Sequence, residues 1–169
     1  MSEPAIALAP APERRHYGLI PPETLARLDG IQVFKGIESG ELPLPPIGRT
    51  LSFEPVRIGT GEAVFESRPS HDHYNPLGTA HGGYITTLLD SAMGCAVHSL
   101  LKAGQGYTTV ELKVNFLRPV TEATGAVRAE GRVINQSRTL ALAEARLIDA
   151  KGKLLAHATS TCQIFSLGA

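Results

Sequence analysis

The second half of the chain is a run of strands whose inner faces carry small side chains. Tyr107–Val120 alternates cleanly. Val110, Leu112, Val114 and Phe116 fall on one side and Thr109, Glu111, Lys113 and Asn115 on the other, the period-two mark of a half-buried strand. Gly125–Asn135 places Val127, Ala129, Gly131 and Val133 inward and Arg128, Glu130 and Arg132 outward. Thr139–Ala150 puts Ala141, Ala143, Ala145 and Leu147 on one face, and Leu154–Phe165 does the same with Ala156, Ala158, Ser160 and Cys162. Turns are predicted at Asn135–Gln136–Ser137 and Ala150–Lys151–Gly152. A sheet face lined with alanine, glycine and serine leaves room for something thick against it.

The thick apolar object in this chain is Tyr84–Leu101, a predicted helix interrupted by Asp90, Gly94 and His98. Those interruptions make it a core helix rather than a membrane span. Two strands precede it. Arg49–Gly59 is extended, with Pro55 pointing to an edge or a bulge. Glu62–Pro69 alternates Ala63, Phe65 and Ser67 against Glu62, Val64 and Glu66. The order strand, strand, helix, then four strands in a tight meander predicts an α+β protein with a curved antiparallel sheet wrapped around one central helix, the hotdog fold. Such a sheet ends in open edges. Two protomers joined edge to edge would cover them, so a homodimer or a dimer of dimers (a homotetramer) is expected.

The organisation reads as one domain with an N-terminal extension. Residues 1–20, rich in alanine, proline and charge, are expected to form a disordered or loosely docked tail. Residues 21–48 read as a helical segment and linker. Pro21 and Pro22 suit a helix start, and Gly30 and Gly36 limit the segment to one or two short helices. Leu42–Gly48, with three prolines, is predicted to exclude helix and run extended. Residues 49–169 form the main domain.

Charge excludes some partners. Lys and Arg balance Asp and Glu at 16 each, the pI is near 7.0, and tryptophan is absent, so nucleic acid is not expected as a partner. No leader or membrane segment is visible, which makes a cytoplasmic location the expectation. Cys95 and Cys162 lack a C-x-x-C spacing and read as reduced, buried thiols.

The loop His71–Gly83 carries the chemistry. Its H-D-H start invites a metal reading, because histidines two apart on a strand face the same way. A third ligand is missing, so no metal is expected. A phosphate loop fails for want of a Gly-Lys-Ser/Thr end. Read as a helix entry, Asn75–Thr79 is a turn and His81–Gly82–Gly83 leads into the helix. A helix N-terminus offers unpaired N–H donors and partial positive charge, where a carbonyl could be polarised as it becomes an oxyanion. Glycine there lets a substrate approach the backbone. Asp90 sits two turns on, sharing its face with Thr86, Thr87, Met93 and Gly94. It is either a working carboxylate or a solvated residue at the helix edge.

The pattern N-P-L-G-T-x-H-G-G, followed by six residues and an Asp, resembles the hotdog acyl-CoA thioesterases of the phenylacetate-degradation (PaaI-like) family. The resemblance spans Arg49–Phe165 in element order. It implies that Asp90 is the catalytic carboxylate, acting either as general base on a water or as nucleophile. It implies that Gly82 donates its N–H to the thioester oxygen, with Gly83 beside it. Asn75 would hold the water or orient the reacting group, and Thr109 would supply a hydroxyl. His81 would either support the loop or touch the carbonyl region. The resemblance places the site across a dimer interface, with Asn75 and Gly82 facing Asp90 and Thr109 of the other chain. Coenzyme A enters only as part of the acyl-CoA substrate, with no other cofactor. Arg118 and Arg138 are candidates for its phosphates. Tyr84, Met93 and Val97 would line an acyl pocket for an aromatic or medium-chain group. Two alternatives stand beside this reading: a hotdog hydratase, whose Asp and His spacing Asp72 and His81 fit poorly, and a non-catalytic acyl-CoA binder.

Overall fold

The computed structural model describes residues 15–167. Three short helices come first: α1 (Pro22–Leu25), α2 (Gly30–Ser39) and α3 (Pro46–Thr50). Strands β1 (Phe53–Gly59) and β2 (Glu62–Ser67) lead through the His71–Gly83 loop to the long helix α4 (Gly82–His98). Four strands follow: β3 (Gln105–Phe116), β4 (Val127–Gln136), β5 (Leu140–Asp149) and β6 (Leu154–Ser166). All six strands pair antiparallel in one sheet, in the order β1-β2-β4-β5-β6-β3. Helix α4 lies across one face and packs on every strand. This is a hotdog fold.

Burial decides what holds it together. Leu88, Leu89, Met93 and Val97 of α4 are sealed against Ala141, Ala143, Ala145, Ala156 and Ala158 of the sheet. Each large side chain so buried contributes roughly 1.5–3 kcal/mol. The outer face carries cross-strand ion pairs, Arg128–Glu66 and Arg146–Glu130 at 2.9 Å and Arg132–Glu144 beside them. Those pairs are exposed and are worth at most about 1 kcal/mol each. The packing of helix on sheet therefore stabilises the fold far more than the ion pairs do.

The small inner residues are a steric requirement. At Gly131 of β4 an added Cβ would overlap the Ala92 carbonyl and come within 2.8 Å of the Met93 nitrogen. Here the helix backbone touches the sheet backbone.

Several expectations are corrected. The four late strands do not form one meander. Helix α4 carries the chain to the far edge, so β3 pairs with β6, and residues 117–126 return the chain to β2, where β4 pairs. The alternation of β3 also breaks. A bulge between Thr109 and Glu111 takes Val110 out of register, so Tyr107 and Thr109 face the helix along with Leu112 and Val114. One extra residue flips the pleat, and Val110 is left exposed. Leu42–Gly48 is not free of helix, since Pro46 opens α3 from its first position, where the missing N–H costs nothing. Strand β1 accordingly starts at Phe53 rather than Arg49, and Pro55 sits at a bulge on an edge strand. Asn135 and Gln136 still pair with Leu142 and Ala141, so the turn begins at Ser137. The central helix begins at Gly82, not Tyr84, and ends at His98, not Leu101. On it, Met93 and Gly94 are buried, while Thr86, Thr87 and Asp90 remain half-exposed.

The N-terminal segment joins the same core. Asp29 caps α2 by accepting from Gln32 N at 2.8 Å, and Val33, Phe34, Ile37 and Leu44 pack into the main cluster. Residues 1–14 of the expected tail lie outside the described residues. Its last part is tied down, with Gly18 N donating to Leu44 O at 3.0 Å and Leu44 N to His16 O at 2.9 Å.

Two outcomes are expected. Gly131→Ala should cost about 1–3 kcal/mol by overpacking in chemical denaturation, although Gly→Ala is stabilising at open sites. His98 stacks edge-on against Phe34 and Tyr107, and burial lowers its pKa. The unfolded chain therefore binds the proton first as pH falls. Stability should be full above about pH 7 and decline through the ordinary histidine range, as thermal midpoints between about pH 7.5 and pH 5 would read out. His98→Phe should flatten that slope.

Candidate active site

The His71–Gly83 loop is locked from both ends. His71–His73 forms a single 3-10 turn rather than a strand. His73 is buried, stacks on the Tyr84 ring at 4.2 Å, and takes the Ser70 N–H on Nδ1 at 3.0 Å. The Tyr84 hydroxyl bonds Ser67 at 2.7 Å, and Ser67 donates to Ser52 O. Ala80 N donates to Val120 O and His81 N to His73 O, which fixes the entry angle of α4. Among the described residues no three His, Cys, Asp or Glu side chains converge as a metal site would need.

Asn75 shapes this loop. Its Oδ1 accepts from Leu77 N at 2.8 Å, and its Nδ2 donates to Thr79 Oγ1 at 3.1 Å. One Nδ2 hydrogen is left for a ligand. Gly78 completes the turn at φ +80°, a conformation suited to glycine.

His81 is the N-cap of α4. Its Nδ1 accepts from Gly83 N at 2.8 Å, so the neutral ring carries its proton on Nε2. Gly83 is thereby occupied. The Gly82 N–H has no partner among the described residues. Gly82 also fits tightly: an added Cβ would lie 3.1 Å from the tip of the Phe116 ring. Asn75, Gly82 and Arg118 line one cleft of about 380 Å³. Arg118 is exposed and donates to Leu154 O at 2.6 Å.

Asp90 stands apart from that cleft. It is half-buried, and Thr109 donates its hydroxyl to Asp90 Oδ1 at 3.0 Å. The β3 bulge produces this contact, since an unbroken pleat would have turned Thr109 to the outer face. Eight residues of helix put Asp90 about 12 Å from Gly82. Arg138 is exposed in the β4–β5 turn, near the Asp90 end of the sheet and away from Arg118. The expected residues thus fall into two groups, Asn75 to Gly83 with Arg118, and Asp90 with Thr109. Tyr84, Met93 and Val97, expected along an acyl pocket, are sealed in the core of this chain.

Tyr107 escaped the sequence reading. It lies on the helix side of β3 two residues before Thr109, against Gly94. The one available signal was the small residue a turn beyond Asp90.

The fold and site geometry can be set against known proteins. The thioesterase superfamily model matches residues 77–156. A Saccharolobus solfataricus protein named "Putative esterase" is 31% identical over 130 residues, covering 77% of this chain and 91% of that one. Human acyl-coenzyme A thioesterase 13 is 28% identical over 107 residues, 63% of this chain and 75% of that one. The crystal structure of a phenylacetic acid degradation-related protein from Ralstonia eutropha superposes with a TM-score of 0.71 at 28% identity, over 78% of this chain and 98% of that one. By class this is a hotdog enzyme that hydrolyses thioesters. The chain belongs to the thioesterase superfamily, and the solved structures it is similar to include phenylacetic acid degradation proteins.

The thiols beside Asp90 should be inert. Burial, with the Asp90 charge adding to it, pushes the Cys95 thiol up to about 12, and burial raises Cys162 as well. Both cysteines are free; Cys162 is buried as expected, whereas Cys95 is only half-buried, packed against the core. A disulfide reagent at about pH 8 should therefore find almost no reactive thiol in the native protein and both after unfolding.

Proposed function

We propose that this enzyme hydrolyses an aromatic or medium-chain acyl-CoA to the free acid and CoA at a site shared by two chains, with Asp90 as general base. The observation that carries the reading is the half-buried Asp90, held by Thr109 at 3.0 Å and standing about 12 Å along α4 from the unpartnered Gly82 N–H. A carbonyl held at Gly82 is out of reach of Asp90 in the same chain.

A second copy resolves this. Among the described residues β3 is an edge strand, paired with β6 alone, and its other side is open. Val110, Phe116 and Leu117 are exposed on or just beyond it. An antiparallel pairing of β3 with β3 about a two-fold axis sets the Thr109 end of one chain against the Phe116 end of the other. Phe116 rests on Gly82, so each Asp90 then faces the helix entry of the partner subunit. This supports at least a homodimer; a dimer of dimers would add nothing to the site itself.

In the reaction the Gly82 N–H, at the positive end of α4, polarises the thioester oxygen. Asp90 takes a proton from water as the water oxygen attacks the carbonyl carbon. The Thr109 hydroxyl keeps Oδ1 oriented, leaving Oδ2 for the water. The tetrahedral intermediate collapses, the C–S bond breaks, and the proton passes to the departing thiolate. Asn75 and the Nε2–H of His81 remain to orient the group. The thioester carbonyl is electrophilic enough to need no cofactor beyond the CoA of the substrate. Arg118 and Arg138 approach that CoA from different chains. The substrate pool in this reading is cytoplasmic. Among the described residues no helix is long and apolar enough to cross a membrane.

Thiol release from an acyl-CoA panel tests the chemistry. Asp90→Asn should lower kcat by about 10²–10⁴ with the fold intact. Retained activity would remove Asp90 from the mechanism, and binding without release in the wild type would favour a carrier. Complementation tests the shared site. Asp90→Asn and Asn75→Ala homodimers should each be weak, whereas a mixed dimer regains one intact site. Absence of any gain on mixing would place the whole site in one chain.

A further inference from the structure

The geometry points to Tyr107 as the residue that ends the acyl slot beyond Asp90 and so sets the longest acyl chain the enzyme accepts. The inference rests on hydrolysis at Asp90 and extends it to substrate length.

The bulge in β3 turns Tyr107 and Thr109 to the helix side, where they pair with the inward residues Ile164 and Cys162. On α4, Asp90, Gly94 and His98 follow one another at intervals of four and share a face. The Tyr107 ring crosses this face at Gly94, where an added Cβ would lie 3.1 Å from ring atoms Cε2 and Cζ. Its far side meets the His98 ring edge-on, with centroids 5.9 Å apart. A chain leaving a carbonyl at Asp90 and running toward the C-terminal end of α4 therefore meets tyrosine one turn on.

Behind the ring is unused apolar space. A cavity of about 210 Å³ is lined by Leu25, Leu28, Leu101 and Phe165, with Tyr107 and His98 between it and Asp90. His98 stands about 12 Å from Asp90 along the helix, a distance that an extended medium-length chain covers. Leu25, Leu28 and Phe165 all lie outside residues 77–156, the stretch matched to the family model. Tyr107 and the slim Gly94 act as a pair: glycine makes room for the ring, and the ring separates the reacting end from the cavity.

The test compares wild type, Tyr107→Ala and Tyr107→Phe in thiol release from hexanoyl-, decanoyl- and hexadecanoyl-CoA. Tyr107→Ala joins slot and cavity. Its kcat/KM for the longer members, relative to hexanoyl-CoA, should rise about fourfold for each methylene that enters the cavity. Tyr107→Phe keeps the ring and should keep the wild-type chain-length profile. Binding of the matching S-alkyl-CoA thioethers, which cannot be hydrolysed, should shift the same way even where turnover in the alanine variant is weak. Should Tyr107→Ala not fold, Tyr107→Leu carries the same comparison. A chain-length profile unchanged in both turnover and binding overturns the role of Tyr107 and leaves the thioesterase reading intact. A wild type that hydrolyses an aromatic acyl-CoA but none of these overturns the role of Tyr107 alone, and one that hydrolyses neither kind overturns both.

Discussion

The contact between α4 and the sheet governs this structure. At Gly131 the two backbones meet with no side chain between them, and the alanines of β5 and β6 extend that close approach. Large residues of α4 fill the shallow trough so formed. Everything used in the site is referenced to this one helix. Its first N–H is Gly82, its middle carries Asp90, and its last turns carry Gly94 and His98. A shift of the helix on the sheet would move all of them together.

The same helix keeps the two groups of candidate residues apart within one chain. A helix of 17 residues is too long for its N-terminus and its central carboxylate to touch one carbonyl. Among the described residues β3 is an unpaired edge, whose two ends lie beside Asp90 and beside Gly82 respectively. In the proposed reading one association would both cover the edge and bring the two groups to one carbonyl. The outer face, by contrast, is a lattice of exposed ion pairs that contributes little to stability.

Local irregularity shapes the candidate site. The bulge at Val110 is one residue, yet it sends the Thr109 hydroxyl to Asp90 and lays Tyr107 over Gly94. The loop from Ser70 to His81 is similarly over-determined. His73 stacks on Tyr84 and takes the Ser70 N–H, and Tyr84 bonds Ser67, so the loop that presents Gly82 is held at several points. Rigid donors need no reorganisation when charge develops.

The helix, the six strands, the small inner faces and the loop motif were all legible in the amino-acid order, because each rests on local spacing: alternation for strands, glycine and proline for turns. Asp90 stood out there too, as an acid in an otherwise apolar helix. Other features are settled by packing, which spacing cannot carry. Strand order placed β3 at the edge beside β6, since pairing partners depend on where α4 delivers the chain. The β3 bulge reversed the faces of Thr109 and Val110, since an extra residue leaves the hydrophobic pattern almost unchanged while inverting the pleat. Met93 and Val97, plausible pocket linings by composition, are core residues because the sheet curves over them. Tyr107 and its cavity depend on packing between residues far apart in the chain, from Leu25 to Phe165. Local patterns encode local geometry; the site is an agreement between distant segments, and only the folded chain brings them face to face.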